Sequence, residues 1–166
     1  MMARTHVLMG LGACTALSAM APHSLPLCGA TLAASFLGCL APDLDHPSSW
    51  IGRRLWFVSL PLSALFGHRG LTHSLLATIG ATALLAWYTV SVRLTPWLVA
   101  FFVGYLSHLV GDWLSSSGVP LLWPIKRKFQ APVTVPTGGA GEWGLRCLFA
   151  AYLLFWFGTR GVPPLI

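Results

Sequence analysis

Apolar residues gather along the chain in five long stretches, 7–21, 25–41, 71–92, 96–114 and 144–158. None alternates with the period of two expected of a half-buried strand, and no internal repeat is visible. Pro22, Pro26, Pro42 and Pro96 fall at the edges of these stretches, where a missing N–H and a fixed φ interrupt helices. The pattern predicts an all-α bundle of about five helices in one domain, 1–166. Three of the stretches fall short of the ~20 residues that a bilayer-spanning helix prefers.

A sixth apolar segment, 50–66, differs from the others. It opens on Arg53-Arg54, contains Pro61 and leads into His68-Arg69. It reads as a further crossing or as an interfacial or re-entrant piece, and connectivity decides between these. If it does not cross, five alternating passes bring residues 4, 42–73, 108–112, 126–128 and 142–146 to one side. That side collects Arg4, Arg53, Arg54, Arg69, Lys126, Arg127, Lys128 and Arg146, eight of the ten basic residues. The excess of Lys and Arg on cytoplasmic loops makes it the cytoplasmic side, with a cytoplasmic N-terminus. The same topology gathers all four acids and five of six histidines on one face, so 50–66 is read as non-crossing.

Composition agrees with the pattern. Of 166 residues, 55% are hydrophobic and 8% charged, with a mean hydropathy of +0.72. A soluble domain carries about 25% charged residues, and a disordered chain needs low hydrophobicity and high charge. Both are excluded, and the expectation is an integral, multi-pass membrane protein. The net charge of +6 would suggest nucleic acid in a soluble protein. Here loop asymmetry accounts for it, and no nucleic-acid partner is expected. Arg4, the run from Val7 and Ala19-Met20-Ala21 imitate a cleavable signal peptide. Pro22 directly after such a cut argues for a retained first helix. Cys14, Cys28, Cys39 and Cys147 form no Cys-x-x-Cys pair and read as small buried residues.

With four acids in the chain, each needs a reason. Asp43 and Asp45 lie in Pro-Asp-Leu-Asp-His-Pro, 42–47. Extended backbone between the prolines would point both carboxylates to one side, suited to gripping a cation. A lone Asp there would be read as a turn residue bonding backbone. Gly-His-Arg-Gly-Leu-Thr-His-Ser, 67–74, sets His68 and His73 five apart across a glycine. A neutral imidazole at His73 suits a metal, although a histidine can equally hydrogen-bond a neighbouring helix. In Gly-Tyr-Leu-Ser-His-Leu-Val-Gly-Asp, 104–112, His108 and Asp112 are i and i+4 and project from one helix face. They can bind one ion or simply tie helices together. His6 faces the same side, whereas His23 lies on the other. Glu142, in a glycine-rich loop, is open to reading as ligand, base or N-cap. Arg69 is a candidate for holding a substrate phosphate or carboxylate. The Trp123–Phe129 run of aromatic and basic residues reads as an interfacial belt.

Taken in order, His6, Pro-Asp-Leu-Asp-His, Gly-His-Arg-Gly-Leu-Thr-His-Ser and Gly-Tyr-Leu-Ser-His-Leu-Val-Gly-Asp resemble the YdjM family. Gly-Val-Pro-Leu-Leu-Trp-Pro at 118–124 resembles it as well. That family comprises LexA-regulated, membrane-bound, predicted metal-dependent hydrolases of bacterial inner membranes. The resemblance implies a metal site at His6, Asp43, Asp45, His73, His108 and Asp112, with Glu142 corresponding less closely.

The leading expectation is a hydrolase whose divalent metal sits at the cytoplasmic face. His73, His108, Asp112 and one or both of Asp43 and Asp45 would hold one ion or two, zinc first and manganese as the alternative. Glu142 or a spare Asp would act as base, and Arg69 would steady an anion. The substrate class is a membrane lipid or other amphipathic phosphoester. The rival expectation is a non-enzymatic membrane protein, a metal or proton transporter or an assembly factor. A transporter would want its acids near the bilayer midplane, whereas these lie at helix ends.

Overall fold

The computed structural model describes residues 1–67, 69–89, 96–125 and 127–164. His68, Lys126 and the 90–92 end of the third expected helix lie outside the described residues. Those described are all-helical: α1 (Ala3–Met20), α2 (Gly29–Leu40), α3 (Trp56–Phe66), α4 (Leu75–Tyr88), α5 (Pro96–Leu114) and α6 (Ala140–Arg160). Two short 3-10 turns, Pro42–Asp45 and Leu71–His73, precede α3 and α4.

Local chemistry sets the boundaries. The Ser74 hydroxyl accepts from the Ala77 N–H at 3.1 Å and caps α4. The Cys28 N–H donates to the Thr31 hydroxyl at 3.0 Å, so α2 begins after Pro26 rather than at residue 25. Pro42 closes α2 into a 3-10 turn because proline is pre-set for a first helical position.

Contacts between helices fix their directions. Ser35 and Gly38 of α2 meet Gly104 and Phe101 of α5, and Cys39 meets Ser107 and His108. These two helices therefore run parallel. Against α5, α1 runs antiparallel, with Gly10 beside Gly104 and Ser107 and His6 beside Gly111 and Asp112. Thr5 pairs with Glu142 and Thr15 with Tyr152, so α6 is parallel to α1. The Tyr105 hydroxyl donates to the Thr72 carbonyl at 2.6 Å, and α4 runs back along α5 from there. One end of the bundle thus gathers the N-termini of α1, α4 and α6 with the C-termini of α2 and α5.

The α2–α5 crossing is set by glycine. A Cβ on Gly38 would lie 2.1 Å from the Phe101 carbonyl oxygen, and one on Gly104 would lie 2.1 Å from that of Ser35. Only hydrogen at both positions permits this approach, the small-residue packing typical of helices in lipid.

The distribution of polarity is inverted relative to a soluble globule. Thr5, Thr15, Ser18, Thr31, Ser35, Thr78 and Ser107 are buried, whereas Leu37, Ile79, Leu84, Trp87, Leu154 and Phe155 face outward. Some of the buried hydroxyls are satisfied locally: Thr78 and Thr82 donate to the carbonyls of Ser74 and Thr78, one turn back.

Length and composition separate the helices from the five expected spans. Among the described residues, α5 alone is both long and apolar enough to cross a membrane. Helices α3 and α4 are apolar but short, and the capped α2 has only 12 residues, about 18 Å of rise. Helices α1 and α6 have 18 and 21 residues, but carry Arg4, Thr5, His6, Glu142, Arg146 and Arg160. The expectation for the cysteines holds at Cys14 and Cys39, which are buried; Cys28 is half-buried at a cap and Cys147 is exposed.

Segment 50–66 does not form a long helix. Its helical part, α3, packs on the Pro42–Asp45 turn and leaves Trp56, Phe57, Leu60 and Leu65 exposed. The stretch 115–139 folds across the same end. It is tied there by bridges between Ser115 and Val135 and between Val119 and Phe129, and by the Leu75 N–H donating to the Leu121 carbonyl at 3.0 Å.

Candidate metal centre

At this end His6, Asp43, His73, His108 and Asp112 come together from α1, the Pro42–Asp45 turn, the Leu71–His73 turn and α5. Two groups, His6/His108/Asp112 and Asp43/His73/His108, have donor atoms close enough to hold a metal ion.

His108 carries the clearest chemical signal. Its Nδ1 lies 2.7 Å from the Cys39 carbonyl oxygen. A carbonyl only accepts, so Nδ1 bears a proton and Nε2, which points the other way, is the ring atom left to serve as a ligand. Nε2 is buried without a hydrogen-bond partner. It faces Asp112 Oδ2 at 3.6 Å and Asp43 Oδ1 at 3.8 Å. The α2–α5 crossing at Gly38 and Gly104 is what brings the Cys39 carbonyl to this imidazole.

His73 is oriented in the same manner. Its Nδ1 lies 3.1 Å from Asp45 Oδ2, so its Nε2 turns toward Asp112 Oδ2 at 3.4 Å and Asp43 Oδ1 at 3.8 Å. Asp45 is fully buried and also accepts from the Thr72 hydroxyl and, at 3.1 Å, from the Arg69 N–H. It stands behind the ring, as the carboxylate of a carboxylate–histidine–metal arrangement does.

This arrangement corrects the extended reading of residues 42–47. In a 3-10 turn of three residues per turn, positions two apart do not share a side. Asp43 consequently points at the Nε2 pair and Asp45 at the back of His73.

Asp43, His73 and His108 set their donor atoms close enough together for one small cation, and Asp112 faces both rings. Bonds of about 2.0–2.2 Å at a tetrahedral centre set its donors about 3.3–3.6 Å apart. The observed separations are 3.4, 3.6, 3.8 and 3.8 Å. Imidazole nitrogens and carboxylate oxygens facing one another at this spacing form a donor set of the kind that a cation satisfies.

His6 lies beside this set. Its ring stacks on His108 at 3.7 Å between centroids and 9° between planes, and its Nε2 is 3.5 Å from the other oxygen of Asp112, Oδ1. That oxygen also receives the Met1 amine at 3.1 Å and an Arg69 guanidinium nitrogen at 3.4 Å. Arg69 adopts a positive φ of 58°, unusual away from glycine. A second guanidinium nitrogen donates to the Gly118 carbonyl at 3.2 Å. Arg69 thus fixes the orientation of Asp112 from the mouth of the site, where Arg69 and Asp43 are the part-exposed members, 17% and 19% for their side chains.

Glu142 is not among the groups brought together here. It is fully buried next door, where Oε1 accepts from the Thr5 hydroxyl at 2.5 Å and the Met2 N–H at 2.7 Å. Oε2 accepts from the Gly138 N–H at 2.6 Å, and Arg146 lies 3.4 Å away. The hydrogen bonds from Gly138, Thr5 and Met2, with Arg146 beside them, satisfy the carboxylate where it lies. His23 is exposed, and His46 pairs with the Ser48 hydroxyl at 2.9 Å.

Sequence reasoning missed Thr72, Thr5, Arg146 and the Cys39 carbonyl. The i, i+4 spacing of Glu142 and Arg146 was a visible signal for one pair. The Cys39 carbonyl carried none.

The chain was compared with known proteins. It is 45% identical over 111 residues to inner membrane protein YdjM of Escherichia coli (strain K12), and equally to that of Shigella flexneri. Each match covers 63% of this chain and 55% of the relative, so the chain spans little more than half the length of those relatives. It is 32% identical over 142 residues to YvsG of Bacillus subtilis (strain 168), covering 86% of this chain and 85% of the relative. No solved structure matches. The sequence model described as YdjM inner membrane protein matches residues 1–162, and the chain therefore belongs to the YdjM inner membrane protein family.

Proposed function

We propose that this chain is a metal-dependent hydrolase of the bacterial inner membrane with one divalent cation held by His73, His108, Asp43 and Asp112. The observation that carries the proposal is the buried Nε2 of His108, which has no hydrogen-bond partner and faces two carboxylates. A bound cation would supply Lewis-acid polarisation of a scissile oxygen. Mixed imidazole and carboxylate donors at near-tetrahedral spacing favour zinc, with manganese as the alternative. Only one nitrogen of His108 is available, because Nδ1 is engaged by Cys39. The two overlapping groups of donors therefore describe one ion rather than two.

The surrounding residues have distinct roles. Asp45 and the Cys39 carbonyl hold the tautomers of His73 and His108. His6 and Arg69 hold the outer oxygen of Asp112. Arg69, part-exposed at the mouth with its Nε buried and unpartnered, suits an anionic substrate group. Glu142 serves the packing of α1 on α6.

The inverted polarity of the bundle, the apolar α5 and the names of two relatives support a multi-pass arrangement in the inner membrane. In that arrangement α1, α2, α4, α5 and α6 alternate across a locally thinned bilayer, with the N-terminus and the metal-centre end on the cytoplasmic side. A site at that level favours a lipid or other amphipathic phosphoester. The test is elemental analysis of detergent-purified chain beside Asp112→Ala and His108→Ala. Near-stoichiometric zinc or manganese in the parent, lost from both variants, is expected. A folded parent that takes up no metal even after addition would overturn the proposal.

A further inference from the structure

The same end of the bundle carries a second feature, separate from the metal centre. A groove of about 500 Å³ opens between the start of α1 and the end of α2. Val7 and Leu8 form one wall, Phe36 and Leu40 the other, and Trp50 and Arg4 stand at its edge. Trp50 is fixed edge-on against Phe36 at 6.3 Å and 85°. The Arg54 guanidinium stacks on the Trp50 ring at 3.8 Å and donates to its carbonyl at 2.8 Å. An apolar trough is therefore bordered by an aromatic residue and two arginines.

Those arginines lack an anion. The chain has four carboxylates, and three are buried at the metal centre or in the Glu142 clasp. The fourth, Asp43, faces His73 and His108. Among the described residues Arg69 and Arg146 reach a carboxylate; neither Arg4 nor Arg54 does. A second copy of this chain is a poor source of one, because among its described residues it exposes no side-chain carboxylate beyond the part-exposed Asp43 and it presents the same cations.

We propose that this groove binds an anionic phospholipid of the cytoplasmic leaflet, with its phosphate between Arg4 and Arg54 and an acyl chain along Val7, Leu8, Phe36 and Leu40. Basic residues at the cytoplasmic boundary attract anionic headgroups, and a groove between helices gives that attraction a defined place. Trp50 lies at headgroup level, as interfacial tryptophans do. The exposed apolar residues of α3, from the same end, mark the same depth. The inference shares with the proposed function the placement in a bilayer but none of the metal chemistry.

The test is native mass spectrometry of the detergent-purified full chain with dioleoyl-phosphatidylglycerol or dioleoyl-phosphatidylcholine, with metal content read on the same samples. The anionic lipid should be retained in preference to the zwitterionic one. Arg4→Gln and Arg54→Gln should each lower that retention roughly five-fold, and the Lys variants should restore most of it. Arg160→Gln, at the opposite end, should leave it unchanged. Equal retention of both lipids, undiminished retention by the doubly substituted Gln variant, or displacement of lipid by a second copy would overturn the inference. A chain that loses metal but keeps this preference would separate it from the failure of the proposed hydrolase.

Discussion

Two buried carboxylate clusters lie side by side at one end of this bundle, and they are opposites. Around Glu142 every neighbour is a donor: two backbone N–H groups, the Thr5 hydroxyl and the Arg146 guanidinium. Around Asp43 and the inner oxygen of Asp112 the neighbours are imidazole nitrogens at 3.4 to 3.8 Å. The first cluster is satisfied and holds α1 to α6; the second is a donor set that could hold a cation. Successive residues of α1 serve the two, because consecutive helical positions point about 100° apart. Thr5 faces Glu142 and His6 faces Asp112. Burial of a carboxylate is therefore not what marks a reactive site. The sign of what surrounds it is.

The comparison breaks most sharply at Asp112. Asp112→Ala should abolish metal retention, measured by elemental analysis, whereas Glu142→Gln should leave it near the parent value. Equal loss from both would mean that the clusters act as one.

Glu142→Gln should instead destabilise the fold. Removing one member of a buried, hydrogen-bonded pair costs about 3–5 kcal/mol, to be read as a lower midpoint of detergent-solubilised unfolding. An unchanged midpoint would reduce the clasp to an accident of packing.

A smaller effect is expected behind the imidazole. Asp45→Asn keeps all four donors but weakens the hold on the His73 tautomer, which should lower metal affinity about 10- to 100-fold without abolishing it. Complete loss would place Asp45 among the ligands. Smallest of all, His23→Ala should change neither metal content nor stability, since that ring is exposed beside the far end of α1.

Much of this was legible in the residues. Apolar stretches bounded by prolines gave five bundle helices, and the odd segment 50–66 announced itself through Arg53-Arg54 and Pro61. The i, i+4 pair His108/Asp112 and the ordered motifs place the acids and most of the histidines at one end on spacing and connectivity alone. These features are local, and periodicity and spacing report local geometry well. Span lengths were less legible, because a Cys28–Thr31 cap and a 3-10 turn at Pro42 shorten α2 without altering its hydropathy.

What residue types could not give is who faces whom. Asp43 and Asp45 look equivalent in sequence, yet one turn sends them to opposite sides of His73. The direction in which His108 Nε2 points depends on a carbonyl 69 positions away, and Glu142 is occupied in part by N–H groups of Met2 and Gly138. Every residue carries a carbonyl and nearly every one an N–H, so the sequence cannot mark the few that matter. The chain by itself determined its helices, its polarity and its inventory of ligands. Tertiary packing, through the glycine crossing of α2 and α5, decided which of those groups are satisfied by donors and which remain to hold an ion.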